Sequence, residues 1–243
     1  MIVYPENWHK DYSNFAEYYE VDLGLFYHLL TMSLSQFEVK HLAYSGGIDS
    51  TILLDIMTIL FEGDVHTYII ASREDHPDVL FARKASKFYN TNHHEFIVAP
   101  TTHSTDKFQG DNAVRQFFEK LNDYTDKIIC GDGIDEFMCG YYDHMSRSIH
   151  TSRSMDTYKF YLGKLCANHL IPLNNNSKNT QVFLPYLDNL LIDFYRKIPL
   201  SQKVSDIERK KVMTDMANFL KIPEYIINRN KYGFCDAFID NDK

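Results

Sequence analysis

The sequence predicts an α/β protein with a doubly wound, mostly parallel sheet, followed by a helical C-terminal part. Three observations carry this. Between residues 36 and 146, apolar runs of strand length alternate with amphipathic runs of helix length. The chain between successive strand candidates is long enough for the crossovers that parallel neighbours need. Beyond Tyr141 strand signals mostly stop and helical periodicity takes over.

The elements follow in order. Tyr18–Leu34 reads as a helix with apolar faces, within a mildly acidic, aromatic segment 1–35. Val39–Tyr44 is a short strand, and Thr51–Leu60 is a helix so apolar all round that burial between layers is expected. His66–Ala71 is the second strand. Asp78 is read as the cap of a helix running to Tyr89, with Val79, Phe81, Ala82, Ala85 and Phe88 on its apolar stripe. His94–Val98 is the third strand, 112–121 a helix and Lys127–Cys130 the fourth strand. Met155–Leu170, Asn189–Lys197 and Ile207–Leu220 read as helices, and the Asn-rich run 172–179 as a loop. The expected organisation is one domain over 1–243: an N-terminal helical segment (1–35), a nucleotide-binding α/β core (36–146) and a helical part (147–243).

Composition narrows the classes. A chain of 243 residues with 44% apolar, 14% aromatic and 24% charged residues is neither disordered nor fibrous. Its net charge of −8 lacks the basic footprint of a protein that grips nucleic acid. Four scattered cysteines (Cys130, Cys139, Cys166, Cys235) without a C-x-x-C fit reduced thiols. No 18-residue apolar run and no secretory leader pattern is seen, so a cytoplasmic protein with no membrane contact is expected.

The most informative run is Ser45-Gly46-Gly47-Ile48-Asp49-Ser50-Thr51, at the junction of strand one and helix one. Two glycines let a backbone approach a ligand and turn its amides inward as an anion nest. Ser50 and Thr51 add hydroxyls and amides in the first helical turn, where the helix dipole favours an anion by roughly 0.3–1 kcal/mol. An acid inside an anion nest requires a cation, which makes Asp49 a Mg2+ ligand candidate. An ordinary capped glycine turn is the competing reading. The Gly-Lys-Ser/Thr ending of a Walker loop is absent.

A second run, Cys130-Gly131-Asp132-Gly133-Ile134-Asp135-Glu136, continues to Tyr142 at the end of strand four. Three carboxylates spaced by glycines at a sheet's carboxyl edge repel one another unless cations join them. Set opposite Asp49, they suggest the far side of a shared metal site. Downstream, residues 203–231 hold seven basic and four acidic side chains, a local charge of 7 − 4 = +3 in a protein of −8. Such a patch suits a polyphosphate.

These runs together resemble a known family. Ser45–Ser50 resembles the S-G-G-x-D-S pyrophosphate loop of the PP-loop ATP pyrophosphatases, whose fold is the adenine nucleotide alpha hydrolase type. Residues 130–142 resemble the S-G-E-G-S-D-E-x-x-G-G-Y segment of asparagine synthetases and β-lactam synthetases. Phe183–Asp188 resembles R-V-P-F-L-D, with Phe183 in the place of Arg. Ile198–Lys203, Glu208–Met213 and Arg229–Phe234 are similar to the family's lPxxxK, G-K-x-x-L-R and R-x-K-x-G-F stretches.

The resemblance implies ATP and Mg2+ as cofactors. Ser45, Gly46, Gly47, Asp49, Ser50, Thr51, Gly131 and Lys231 would then hold ATP and its pyrophosphate, with Ile70 and Ala71 offering main-chain groups to adenine. Asp49 and Asp135 are implied metal ligands. Asp132, Lys231 and Lys210 (the match to the family's helix-start lysine) are implied catalytic residues. Asp132 stands where the family has Glu, shortening its reach by about 1.5 Å of chain. His93 and His94 are weaker metal candidates, because adjacent strand residues point to opposite faces. The family's glutaminase nucleophile is a cysteine after the initiator Met, and Ile2 stands there. Free ammonia, a separate glutaminase or other ammonia-supplying partner, or another amine is therefore expected.

The implied activity is an AMP-forming carbon–nitrogen ligase joining a small-molecule carboxylate, aspartate first among them, to an amine; a homo-oligomer is compatible with it. Two alternatives stand beside it: a PP-loop enzyme adenylating a nucleobase, tRNA or sugar acid, and a non-catalytic nucleotide-binding homologue.

Overall fold

The computed structural model describes residues 19–101, 103–104, 106, 110–145 and 152–230. Among these residues five strands form one sheet: β1 His41–Ala43, β2 His66–Ala71, β3 Asn92–Ile97, β4 Lys127–Ile129 and β5 Gln181–Phe183. Their order is β3-β2-β1-β4-β5, and every neighbouring pair is parallel. Register follows the strand starts, with His41 opposite His66, His66 opposite Asn92 and Lys127 opposite Gln181.

Among the described residues, eleven α-helical segments surround the sheet: α1 Leu23–Ser35, α2 Ile48–Leu60, α3 Pro77–Phe88, α4 Asp111–Leu121, α5 Ile134–Phe137, α6 Ser152–Leu165, α7 Ile171–Ser177, α8 Asn189–Lys197, α9 Leu200–Lys203, α10 Lys211–Phe219 and α11 Glu224–Ile227. The crossovers β1-α2-β2 and β2-α3-β3 run in one direction and α4 returns from β3 to β4. Right-handed connection therefore puts α2 and α3 on one face and α4 on the other. Helices α1 and α10 pack on α2, and α7 packs on α4. The result is the doubly wound α/β architecture.

Helix α2 lies between layers because of its sequence. Ile52, Leu53, Leu54, Ile56 and Met57 are fully buried, each contributing about 1.5–3 kcal/mol through apolar area removed from water. The chain switches direction between β1 and β4, where an open α/β sheet forms its crevice at the strands' carboxyl ends. The glycine loop follows β1, and the acidic run follows β4.

Several local expectations are corrected. The Asn-rich run is not a loop: Pro172 sits in the first turn of α7, where its missing N–H costs nothing. Asn176 donates to the Pro172 carbonyl at 2.9 Å, and Pro172 and Leu173 are buried. A fifth strand follows α7. His76, not Asp78, caps α3, its ring accepting from the Asp78 N–H at 3.2 Å. Helix α10 starts only at Lys211, because Lys210 adopts φ 55°, outside helical space. The helix from 155 continues as a π-helical turn over Cys166–Leu170.

Candidate active site

Gly46 has φ 68°, and a Cβ there would lie 2.6 Å from the Ala82 backbone nitrogen, so the loop is seated directly on α3. Gly47 caps α2. Its N–H donates to Ser45 Oγ at 3.3 Å, and Ser50 Oγ donates to its carbonyl at 3.2 Å. Thr51 is fully buried behind the loop, donating to Gly47 O at 2.8 Å and meeting the Tyr44 hydroxyl at 3.0 Å. Its hydroxyl thus props the loop and does not face the crevice. Tyr186 OH donates to the Asp49 carbonyl at 2.8 Å, tying the first turn of α2 to the segment after β5.

The acidic run starts with β4's end at Ile129. Gly133 has φ 94°, and a Cβ there would strike Leu187 at 2.4 Å, so this turn needs glycine. Short helix α5 then presents Asp135 to the crevice.

Asp49 and Asp135 face one another across a single ammonium group. Lys210 Nζ pairs with Asp49 Oδ2 and lies 2.5 Å from Asp135 Oδ1. Burial alone would lower the Lys210 pKa, but the carboxylates of Asp135 and Asp49 outweigh it and raise it. Gly140 makes the meeting possible, since a Cβ there would overlap Asp135 Oδ1 and reach 2.4 Å from Lys210 Cε.

Deeper in, Glu136 is 2% exposed and accepts from Tyr141 OH at 2.6 Å. His169, on the π-helical turn, places Nε2 3.5 Å from Glu136 and 3.4 Å from Tyr141 OH. Burial raises the carboxyls of Asp132 and Glu136 above the usual range; Asp135 adds to this and His169 opposes it.

Arg229 closes the other side. It pairs with Asp78, donates to the Ser45 carbonyl at 3.0 Å and lies over the Phe81 ring. A cavity of about 390 Å³ opens here, lined among others by Ser45, Gly47, Asp49, Arg209, Lys210 and Arg229.

The structure thus brings together Ser45, Gly46, Gly47, Asp49, Ser50, Asp135 and Lys210. Ile70 and Ala71 are both buried in β2, and their main-chain groups point to opposite sides of the strand. The Ala71 carbonyl accepts from Val98 on the β3 side. Strand alternation turns the Ile70 groups toward β1, past the last rung between Tyr44 and Tyr68. Gly131, at the end of β4, stands beside Leu53 and Tyr186. Lys231 lies outside the described residues. His93 and His94 point to opposite faces of β3, His93 meeting Thr67 Oγ1 at 2.8 Å and His94 lying on the Tyr68 ring at 4.7 Å. Sequence reasoning missed His169, whose position depends on a π turn with no motif of its own. It also missed the pairing of Arg229 with Asp78.

A glycine loop at the switch point of a parallel sheet, opposed by carboxylates and lysine, defines an α/β protein built to hold an anionic ligand at the strands' carboxyl ends. The asparagine synthase family model matches residues 40–106 and 176–242, and the chain belongs to that family. It is 25% identical over 269 residues to a protein of Acanthamoeba polyphaga mimivirus named "Probable asparagine synthetase, glutamine-hydrolyzing". That match covers 93% of this chain and 48% of the relative, so the chain spans about half the length of the curated relative it matches. Among solved structures, an NMN synthetase from Francisella tularensis aligns with a TM-score of 0.47 and 13% identity, over 93% of this chain and 76% of that one. No described helix is long and apolar enough to cross a membrane.

Proposed function

We propose that this chain is an ATP-dependent, AMP-forming ligase that adenylates a small carboxylate, aspartate first among candidates, and passes the acyl group to ammonia or another amine. The observation that carries this reading is the convergence of Asp49, after β1, and Asp135, after β4, on one cation beside the glycine loop. Family membership supports it.

The residues fit a divalent cation. Asp49 Oδ1 is buried without a hydrogen-bond partner, the Lys210 ammonium stands between the two acids, and carboxylate oxygen is the donor Mg2+ prefers. Asp49 and Asp135 would hold the ion, which supplies charge neutralisation and alignment of phosphate oxygens when bound.

The amides of Ser45–Ser50 and the N-terminus of α2 receive the pyrophosphate. The substrate carboxylate attacks the α-phosphorus, forming a C–O–P bond while the bond between α-phosphorus and bridging oxygen breaks. The electron pair leaves with pyrophosphate, whose charge Lys210 and Lys231 balance. The amine then attacks the acyl carbon, a C–N bond forms and AMP departs. The amine's proton goes to Asp132, whose raised carboxyl is a better base than an exposed Asp.

A different acceptor is favoured by one observation. Phe183, in the place of the family's Arg, packs its ring on Phe37 at 4.6 Å, so this position contributes core and not charge. Phosphate accounting over the proteinogenic amino acids, with ammonium or glutamine as nitrogen source, tests the proposal. AMP and pyrophosphate should appear in equal amounts and only with the right acid; ADP as the product overturns the scheme.

A further inference from the structure

Lys210 is an unusual side chain on geometry alone. Its residue is 5% exposed, its backbone has φ 55°, and its ammonium bridges two carboxylates that come from different strand ends. A left-handed conformation at a non-glycine residue is held only when its surroundings determine it. Two further contacts do so here. The Lys210 carbonyl accepts from the N–H groups of Met213 (2.8 Å) and Thr214 (2.9 Å), starting α10. Gly140 leaves the space through which the side chain reaches Asp135.

From this arrangement we infer that Lys210 is a place-holding cation: it occupies the metal position between Asp49 and Asp135 in the nucleotide-free protein and must be displaced when metal enters. The inference rests on the proposed metal role of these two acids. Electrostatics gives it direction. Two acids facing one another need one positive charge, and the lysine supplies it from within the chain. A divalent ion arriving alone must evict that ammonium from between two carboxylates, and among the described cavity-lining residues only Glu208 is left as an acid to meet it, one carboxylate in exchange for two. A divalent ion arriving with a polyphosphate brings the anion that receives the ammonium. Metal and nucleotide therefore load together, and metal alone binds poorly. Such coupling is a free energy shared by the two ligands.

The binding of Mn2+ alone, followed by electron paramagnetic resonance and by calorimetry without nucleotide, tests this. Lys210→Gln and Lys210→Met should bind Mn2+ at least about tenfold tighter than the unmodified chain, because a like charge has been removed from a partly buried site. Lys210→Arg keeps the charge and should not. Should Lys210→Met fail to fold, Lys210→Gln, which can still hydrogen-bond both acids, carries the comparison with Lys210→Arg. Adding Asp135→Asn to Lys210→Gln should abolish the gain. Equal Mn2+ affinity in the neutral variants and the unmodified chain, both sensitive to Asp135→Asn, overturns the place-holder and leaves the metal site standing. Mn2+ binding indifferent to Asp135→Asn in every form overturns the metal site itself, and the inference with it.

Discussion

Arg229 shows how one side chain can join three segments that are distant in sequence. Its side chain and that of Asp78 are each 5% exposed, so their charges meet almost out of water. The same guanidinium holds the Ser45 carbonyl, fixing the first residue of the glycine loop two residues before Lys231. Removing one partner of such a pair leaves the other charge buried and uncompensated, which costs roughly 3–5 kcal/mol. Arg229→Met should therefore be strongly destabilised in urea unfolding. Arg229→Lys, which keeps the charge but loses the planar fork, should fall between. Adding Asp78→Asn to Arg229→Met should recover part of the loss. No recovery would mean that Arg229 acts through its bond to the Ser45 carbonyl and its packing on Phe81 and not through the pair with Asp78.

At the level of elements, β1 to β4 and the helices between them were legible because apolar strand runs alternate with helix-length periodic runs and are bounded by turn residues. Strand β5 was not: it is as short as β1 and β4 but lies among helical segments, Gln181 is exposed, and it is defined by pairing with β4 alone. Helix α7 was hidden because asparagine signals turns locally, while burial of Pro172 and Leu173 against α4 decides the outcome. In the site, the opposition of Asp49 and Asp135 could be read from two motifs after two strands. That a lysine lies between them could not, because the left-handed backbone at Lys210 is set by tertiary contacts. The loop between β1 and α2 gives an element-scale prediction. Gly46→Ala combines a positive φ with overlap onto the α3 backbone at 2.6 Å, and should cost roughly 2–4 kcal/mol. Gly63, with φ 81° but nothing within 4 Å, is the control: Gly63→Ala should cost only about 1–2 kcal/mol. Comparable losses in chemical denaturation would show that the seat on α3 is not tight.

At the scale of the whole molecule, two bases among the described residues, buried Lys203 and largely buried His93, tie its stability to pH. Lys203 is fully buried, donates to Tyr158 OH at 2.8 Å, and burial lowers its pKa to about 7. His93 is lowered to about 4, by burial first, with Glu95 opposing and His94 and Arg83 adding to the fall. For both, the unfolded chain takes up a proton at higher pH than the folded one, so stability falls as pH falls. The Lys203 window runs from the ordinary lysine value of 10.5 down to about 7. The His93 window runs from 6.5 down to about 4. Each could weaken the fold by a few kcal/mol across its window, at about 1.4 kcal/mol per pKa unit. Lys203→Met should flatten the alkaline part of a plot of urea midpoint against pH and leave the acid part unchanged. His93→Asn should flatten the acid part alone. Because the two residues lie in different parts of the fold, β3 and α9, the double variant should show both changes additively. A slope in either window that survives its own substitution would assign that pH dependence to other groups.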